Sequence, residues 1–69
     1  MKGVDEMATR TVYVLRVRAD ENERWGEPEY YRRQWERDEE AAINGIYGGL
    51  RTYSTQEKKT AEEVEALFD

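Results

Sequence analysis

The sequence predicts a small α+β domain, which three features of the chain indicate. Residues 10–18 form a run rich in β-branched and aromatic residues, without glycine, proline or acids, as is typical of a strand. Residues 29–44 are good helix formers with charge pairs at helical spacing. Residues 56–68 combine capping signals with an amphipathic pattern. With 69 residues the chain has room for one domain, expected at residues 10–69 behind a flexible tail at residues 1–9. A related hypothesis is that translation starts at Met7.

The strand at residues 10–18 has two unlike faces, because side chains alternate along a strand. One face is wholly apolar and consists of Tyr13, Leu15 and Val17. The other mixes apolar and basic side chains: Val12, Val14, Arg16 and Arg18. We therefore expect the core against the first face, and the second face is a candidate contact surface as well as a wall of the core. A short strand near residues 50–54 is the expected partner, which leaves one edge of the first strand open to another chain.

Residues 29–44 have two interpretations. In the first they form one helix, in which Pro28 suits the first turn and Asn44-Gly45 supplies the stop. The apolar stripe of this helix is thin, because acidic residues interrupt it. In the second interpretation, residues 29–35 form a third strand paired with the first, and a shorter helix begins at Asp38. The composition favours the longer helix.

The C-terminal helix is expected near residues 56–68. Two capping-box patterns precede its apolar stripe, so the helix begins after Ser54 or after Thr60. The stripe consists of Ala61, Val64, Leu67 and Phe68. We expect its last three members to pack on the apolar face of the first strand.

The composition argues against several kinds of chemistry. Cysteine and histidine are both absent, which removes disulfides, thiolate or imidazole metal ligands, and imidazole acid–base catalysis. The one serine, Ser54, is explained as a cap, and the glycines of residues 45–49 lack the spacing of a phosphate-binding loop. The sequence therefore predicts no enzyme, no catalytic residue, no cofactor and no metal site.

Aromatic and charged residues in the middle of the chain are the candidate binding residues. Aromatic side chains are common at protein-binding hot spots, and carboxylates can steer a basic partner. The predicted protein-binding residues are Trp25, Tyr31, Trp35, Glu36, Glu39, Glu40, Glu62 and Glu63. The alternative is a nucleic-acid-binding set in which aromatic rings stack on bases and arginines contact phosphates: Arg32, Arg33 and Arg37. Nearby acidic residues count against that alternative.

The net charge of −5 favours a protein partner with a basic surface over nucleic acid. We expect a small, acidic, non-enzymatic protein that acts by protein–protein binding. In its finer form it is a phage or mobile-element inhibitor of a host nucleic-acid-handling complex, acting as a DNA mimic or an interface blocker. The alternatives are a nucleic-acid-binding regulator and a structural subunit of a phage particle. A domain this small also suggests a homodimer. No apolar run is long enough for a membrane span and no secretory signal is visible, so the expected location is cytoplasmic.

Overall fold

A computed structural model describes residues 9–68 as a three-stranded antiparallel sheet with helices packed on it. In chain order the elements are β1 (Thr9–Arg18), β2 (Glu29–Tyr31), α1 (Gln34–Ala42), a π-helical segment (Ile43–Tyr47), β3 (Arg51–Thr60) and α2 (Ala61–Phe68). This architecture confirms the predicted α+β class. Residues 1–8 of the predicted tail lie outside the described residues, and so does the predicted start at Met7. Thr9, the last residue of the predicted tail, belongs to β1.

The sheet has the order β2-β1-β3, so β1 is its central strand. β1 pairs with β3 along its whole length, from Thr9 opposite Thr60 to Arg18 opposite Arg51. On its other side it pairs with the short β2, where Val14 lies opposite Tyr30. The expectation that β1 has an open edge is therefore wrong, since hydrogen-bonded neighbours occupy both edges.

The last strand is longer, and the last helix shorter, than the sequence predicted. Residues 56–60 belong to β3, where the backbone groups of Glu57 and Lys59 pair with β1, and they are not helical. Of the two capping patterns, the one at Thr60 is used. The Thr60 N–H donates to Glu63 Oε1 at 2.9 Å, and the Glu63 N–H donates to Thr60 Oγ1 at 3.2 Å.

The favoured single helix over residues 29–44 is wrong for its first part. Residues 29–31 form β2, because the second edge of β1 provides them with hydrogen-bond partners, and Arg33 is still extended at φ −124° and ψ 143°. The third strand of the alternative interpretation is therefore present but shorter than residues 29–35. Helix α1 passes directly into the π-helical segment, so Gly45 does not end it, and the chain turns at Gly49 with φ +69°.

The core lies on both sides of β1. Val12, Val14 and Leu15 are each only 1% exposed, and Val64 of α2 joins them. Of the two roles predicted for the second face, core wall and contact surface, Val12 and Val14 take the first, whereas the predicted core residues Tyr13 and Val17 are only half-buried. The reason is that elements pack on both faces of a central strand. Arg37 of α1 lies over the Tyr13 ring on one face, and Val64 of α2 lies beside Arg10 on the other.

The predicted packing of the last helix on the Tyr13 face is wrong, since Val64 is buried but lies beside Arg10 on the opposite face of β1. Leu67 is 36% exposed, and Phe68 lies beneath the guanidinium of Arg32 instead of on the Tyr13 face. Among residues 9–68, no helix is both long enough and apolar enough to cross a membrane.

Candidate protein-binding surface

An open groove of about 470 Å³ lies between β2, α1 and the end of α2. Its lining combines aromatic rings with charged side chains: Tyr30, Tyr31, Arg32, Trp35, Glu36, Glu39, Glu40 and Phe68. We call it the aromatic–acidic groove. Five of the eight predicted protein-binding residues meet here, namely Tyr31, Trp35, Glu36, Glu39 and Glu40.

The local structure explains why these side chains meet. Trp35, Glu36, Glu39 and Glu40 fall on one flank of α1, because residues four apart in a helix lie one turn above each other. Tyr31 comes from the strand that immediately precedes α1. The Trp35 side chain is 61% exposed, so a large apolar surface faces water next to three carboxylates.

The Tyr31 side chain is held by a hydrogen bond to a neighbouring carboxylate. Its hydroxyl donates a hydrogen bond of 2.9 Å to Glu29 Oε1. Burial, this hydrogen bond, and the negative charges of Glu29 and Glu40 together raise the pKa of Tyr31 to about 12. The hydroxyl therefore keeps its proton, and its hydrogen bond to Glu29, to a higher pH than an ordinary phenol does.

Cations lie against the aromatic rings at the edge of the groove. The guanidinium carbon of Arg32 lies 4.8 Å from the centroid of the Phe68 ring, and Lys59 Nζ lies 5.8 Å from that of Tyr30. Arg32 also borders a second, smaller groove of about 330 Å³, which contains Glu62. Arg32 thus lies between the aromatic–acidic groove and this second groove, which two arginines and two glutamates line.

Three predicted protein-binding residues lie elsewhere. Trp25 packs against Tyr53 with ring centroids 5.4 Å apart, and the guanidinium carbon of Arg18 lies 4.2 Å from the Trp25 ring centroid. Glu62 lines the second groove, and the Glu63 carboxylate accepts a hydrogen bond at the start of α2. Trp25 and Glu63 thus make contacts that stabilise the fold.

The three arginines of the alternative nucleic-acid set do not form one patch. Arg37 is 8% exposed, and its Nη1 donates to the Thr55 carbonyl at 2.7 Å while Nη2 pairs with Asp38 at 2.8 Å. Arg33 is exposed at the start of α1, and Arg32 covers Phe68. The Arg37 guanidinium is therefore occupied within the fold, and Arg32 and Arg33 remain at the surface.

Sequence reasoning did not assign Tyr30 and Phe68 to the groove. Phe68 was predicted to lie in the core, and it reaches the groove because β3 extends to Thr60 and shifts the start of α2. The capping pattern at Thr60 is the sequence signal that could have placed Phe68 at the groove. Within residues 9–68, no three acidic side chains come close enough together to hold a metal ion.

A comparison with protein-family models, curated proteins and solved structures finds no significant match. The function must therefore be inferred from the residues and their arrangement.

Proposed function

We propose that this protein acts by binding another protein through the aromatic–acidic groove. The exposed indole of Trp35 carries the proposal. Tryptophan is the side chain that most often supplies binding energy at interfaces, because it buries a large, rigid surface. Here it is 61% exposed and is flanked by Tyr31 and by the carboxylates of Glu36 and Glu39.

The charge of the groove suggests the chemistry of the partner. Three glutamates and one arginine line it, and the whole chain carries a net charge of −5. Such a surface attracts a basic one and accelerates the encounter at low salt. The expected partner presents an apolar side chain for the indole, surrounded by lysine or arginine.

Proteins that handle nucleic acids have basic surfaces of this kind, since they bind phosphate backbones. A protein that occupies such a surface competes with the nucleic acid. The finer form of the proposal is therefore an inhibitor of a nucleic-acid-handling complex, encoded by a phage or mobile element. The position of the carboxylates beside an aromatic anchor supports this form, because both charge and shape then contribute to binding.

The first experiment is affinity capture from a lysate of the source cells with three baits. Wild type and Tyr47→Ala are expected to retain the same basic partner, whereas Trp35→Ala loses it. Tyr47 is a matched control, because it is an aromatic residue that is 84% exposed and does not line the groove. Equal capture by all three baits would show that the groove is not the binding surface.

The second experiment tests the charge. Glu39→Lys and Glu21→Lys change the net charge equally, but Glu21 lies in the exposed loop after β1. We expect Glu39→Lys to weaken binding to the captured partner more than Glu21→Lys does, with the difference decreasing at high salt. A gel-shift assay with DNA and RNA at low salt tests the alternative function. Binding that is lost on replacing Arg32 and Arg33 with alanine would contradict the proposal.

A further inference from the structure

We propose that the protein forms a two-fold symmetric dimer by antiparallel pairing of β3 with β3 of a second copy, with Ser54 on the symmetry axis. β3 is an outer strand of the sheet and is ten residues long. No element among residues 9–68 pairs with its outer edge. A long edge strand with unpaired backbone groups is a template for another strand.

The hydrogen-bond pattern shows which residues of β3 offer backbone groups to a partner. The Gly26 N–H donates to the Val17 carbonyl at 2.9 Å, which places that carbonyl on the β2 side of β1. Successive residues of a strand direct their backbone N–H and C=O groups to opposite edges. The odd-numbered residues of β1 therefore direct these groups toward β2, and the even-numbered ones direct them toward β3. The outward-facing residues of β3 are then Thr52, Ser54, Gln56 and Lys58. Consistently, the Thr60 N–H donates to Glu63 and not to β1.

Charge complementarity selects the register. With Ser54 on the axis, Arg51 of each copy lies opposite Glu57 of the other, and Thr52 lies opposite Gln56. Two pairs of opposite charge then form across the new strand pair, and no like charges face each other. The pairing covers seven residues of each strand and joins the two sheets into one of six strands.

Other positions of the two-fold axis lack this charge complementarity. An axis at Thr55 would place Arg51 opposite Lys59, and an axis at Glu57 would place that carboxylate opposite its own copy. Both registers set like charges directly opposite each other, which destabilises a strand pair. An axis at Gln56 forms no pair of opposite charges.

An exposed apolar cluster lies beside this edge. Ile46 is 74% exposed and Tyr47 is 84% exposed in the π-helical segment. The segment is held against the start of β3, since the Leu50 N–H donates to the Asn44 carbonyl at 3.0 Å and a Cβ on Gly45 would lie 3.9 Å from the Thr52 side chain. Ile46 thus offers apolar surface next to the outer edge of β3, which a second copy paired there can cover.

Cysteine cross-linking tests the register directly, because the sequence contains no cysteine and an introduced thiol is therefore the only one in each copy. Opposed residues in a hydrogen-bonded antiparallel pair have Cα atoms ~5.5 Å apart, within the range of a disulfide. We expect Ser54→Cys to form a disulfide-linked dimer on mild oxidation and Gln56→Cys, two positions from the axis, to stay reduced. Cross-linking of Gln56→Cys as fast as Ser54→Cys, or of neither, would overturn the proposed register.

A charge exchange tests the same contact without a covalent bond. Arg51→Glu and Glu57→Arg are each expected to weaken the dimer about tenfold in Kd by sedimentation equilibrium, which corresponds to about 1.4 kcal/mol. The double variant restores the opposite charges and is expected to recover association. Circular dichroism shows whether each variant remains folded.

A wild-type protein that stays monomeric at high concentration, or a folded double variant that does not recover association, would contradict the proposal. Trp35→Ala separates this contact from the partner-binding groove, because it is expected to leave the dimer intact.

Discussion

Arg37 provides a sharp prediction, because its sequence context and its structure suggest different roles. It is one of three arginines near the aromatic residues, which makes it a candidate phosphate contact, yet it is 8% exposed beneath the sheet. Its guanidinium joins α1 to β3 through the Thr55 carbonyl and lies 5.4 Å from the Tyr13 ring centroid. We expect Arg37→Ala to destabilise the fold.

The magnitude follows from the contacts that are lost. A hydrogen bond from a charged donor contributes about 1.5–3 kcal/mol net, and a cation–π contact adds about 0.5–1 kcal/mol. Alanine also removes the buried side-chain stem, at about 0.8 kcal/mol for each methylene. Asp38 is 52% exposed on its side chain, so its ion pair with Arg37 adds little and its carboxylate stays solvated in the variant. The sum is about 4 kcal/mol, and Arg37→Met, which keeps a stem, should lose about half of that.

Urea denaturation measures the difference. A domain of this length has a total stability of roughly 3–10 kcal/mol, so Arg37→Ala should be largely unfolded or have a midpoint lowered by ~2 M. Arg33→Ala is the matched control, since Arg33 is exposed and its loss should change stability by less than about 0.5 kcal/mol. If Arg37→Ala were as stable as Arg33→Ala, the structural role assigned to this guanidinium would be wrong.

Three further predictions follow from individual contacts. Thr60→Ala should cost ~1 kcal/mol in urea unfolding, because it removes the cap of α2, whereas Ser54→Ala should cost less than half as much. Tyr31→Phe should remove a phenol with a pKa of about 12 from a spectrophotometric titration. In the wild type, stability should fall as the pH rises from about 10 towards 12, because the unfolded state releases this proton first. Val14→Glu should abolish cooperative unfolding followed by circular dichroism, since Val14 is 1% exposed in the central strand, and a folded variant would contradict the two-sided core.

The candidate site was predictable in part. Trp35, Glu36, Glu39 and Glu40 share a helix flank whether the helix begins at residue 29 or later, so helical periodicity alone brings them together. Trp25 has the same residue type as Trp35 but packs on Tyr53, a residue 28 positions away in sequence. Nothing local distinguishes the two indoles. Trp25 is covered because the distant strand β3 lies beside it, whereas Trp35 is 61% exposed.

The sequence by itself determined the elements whose signals are local. The β-branched run of β1, the helix beyond Asp38 and the capping box at Thr60 each depend on neighbouring residues, and each is present in the structure. The tertiary structure decided which strand is central, that residues 56–60 are extended, and that Arg37 lies inside. The physical reason is that strand pairing and burial depend on groups far apart in the chain. Residues 56–60 pair with β1, which lies far earlier in the chain, and this ladder overrides the local capping signal at Ser54.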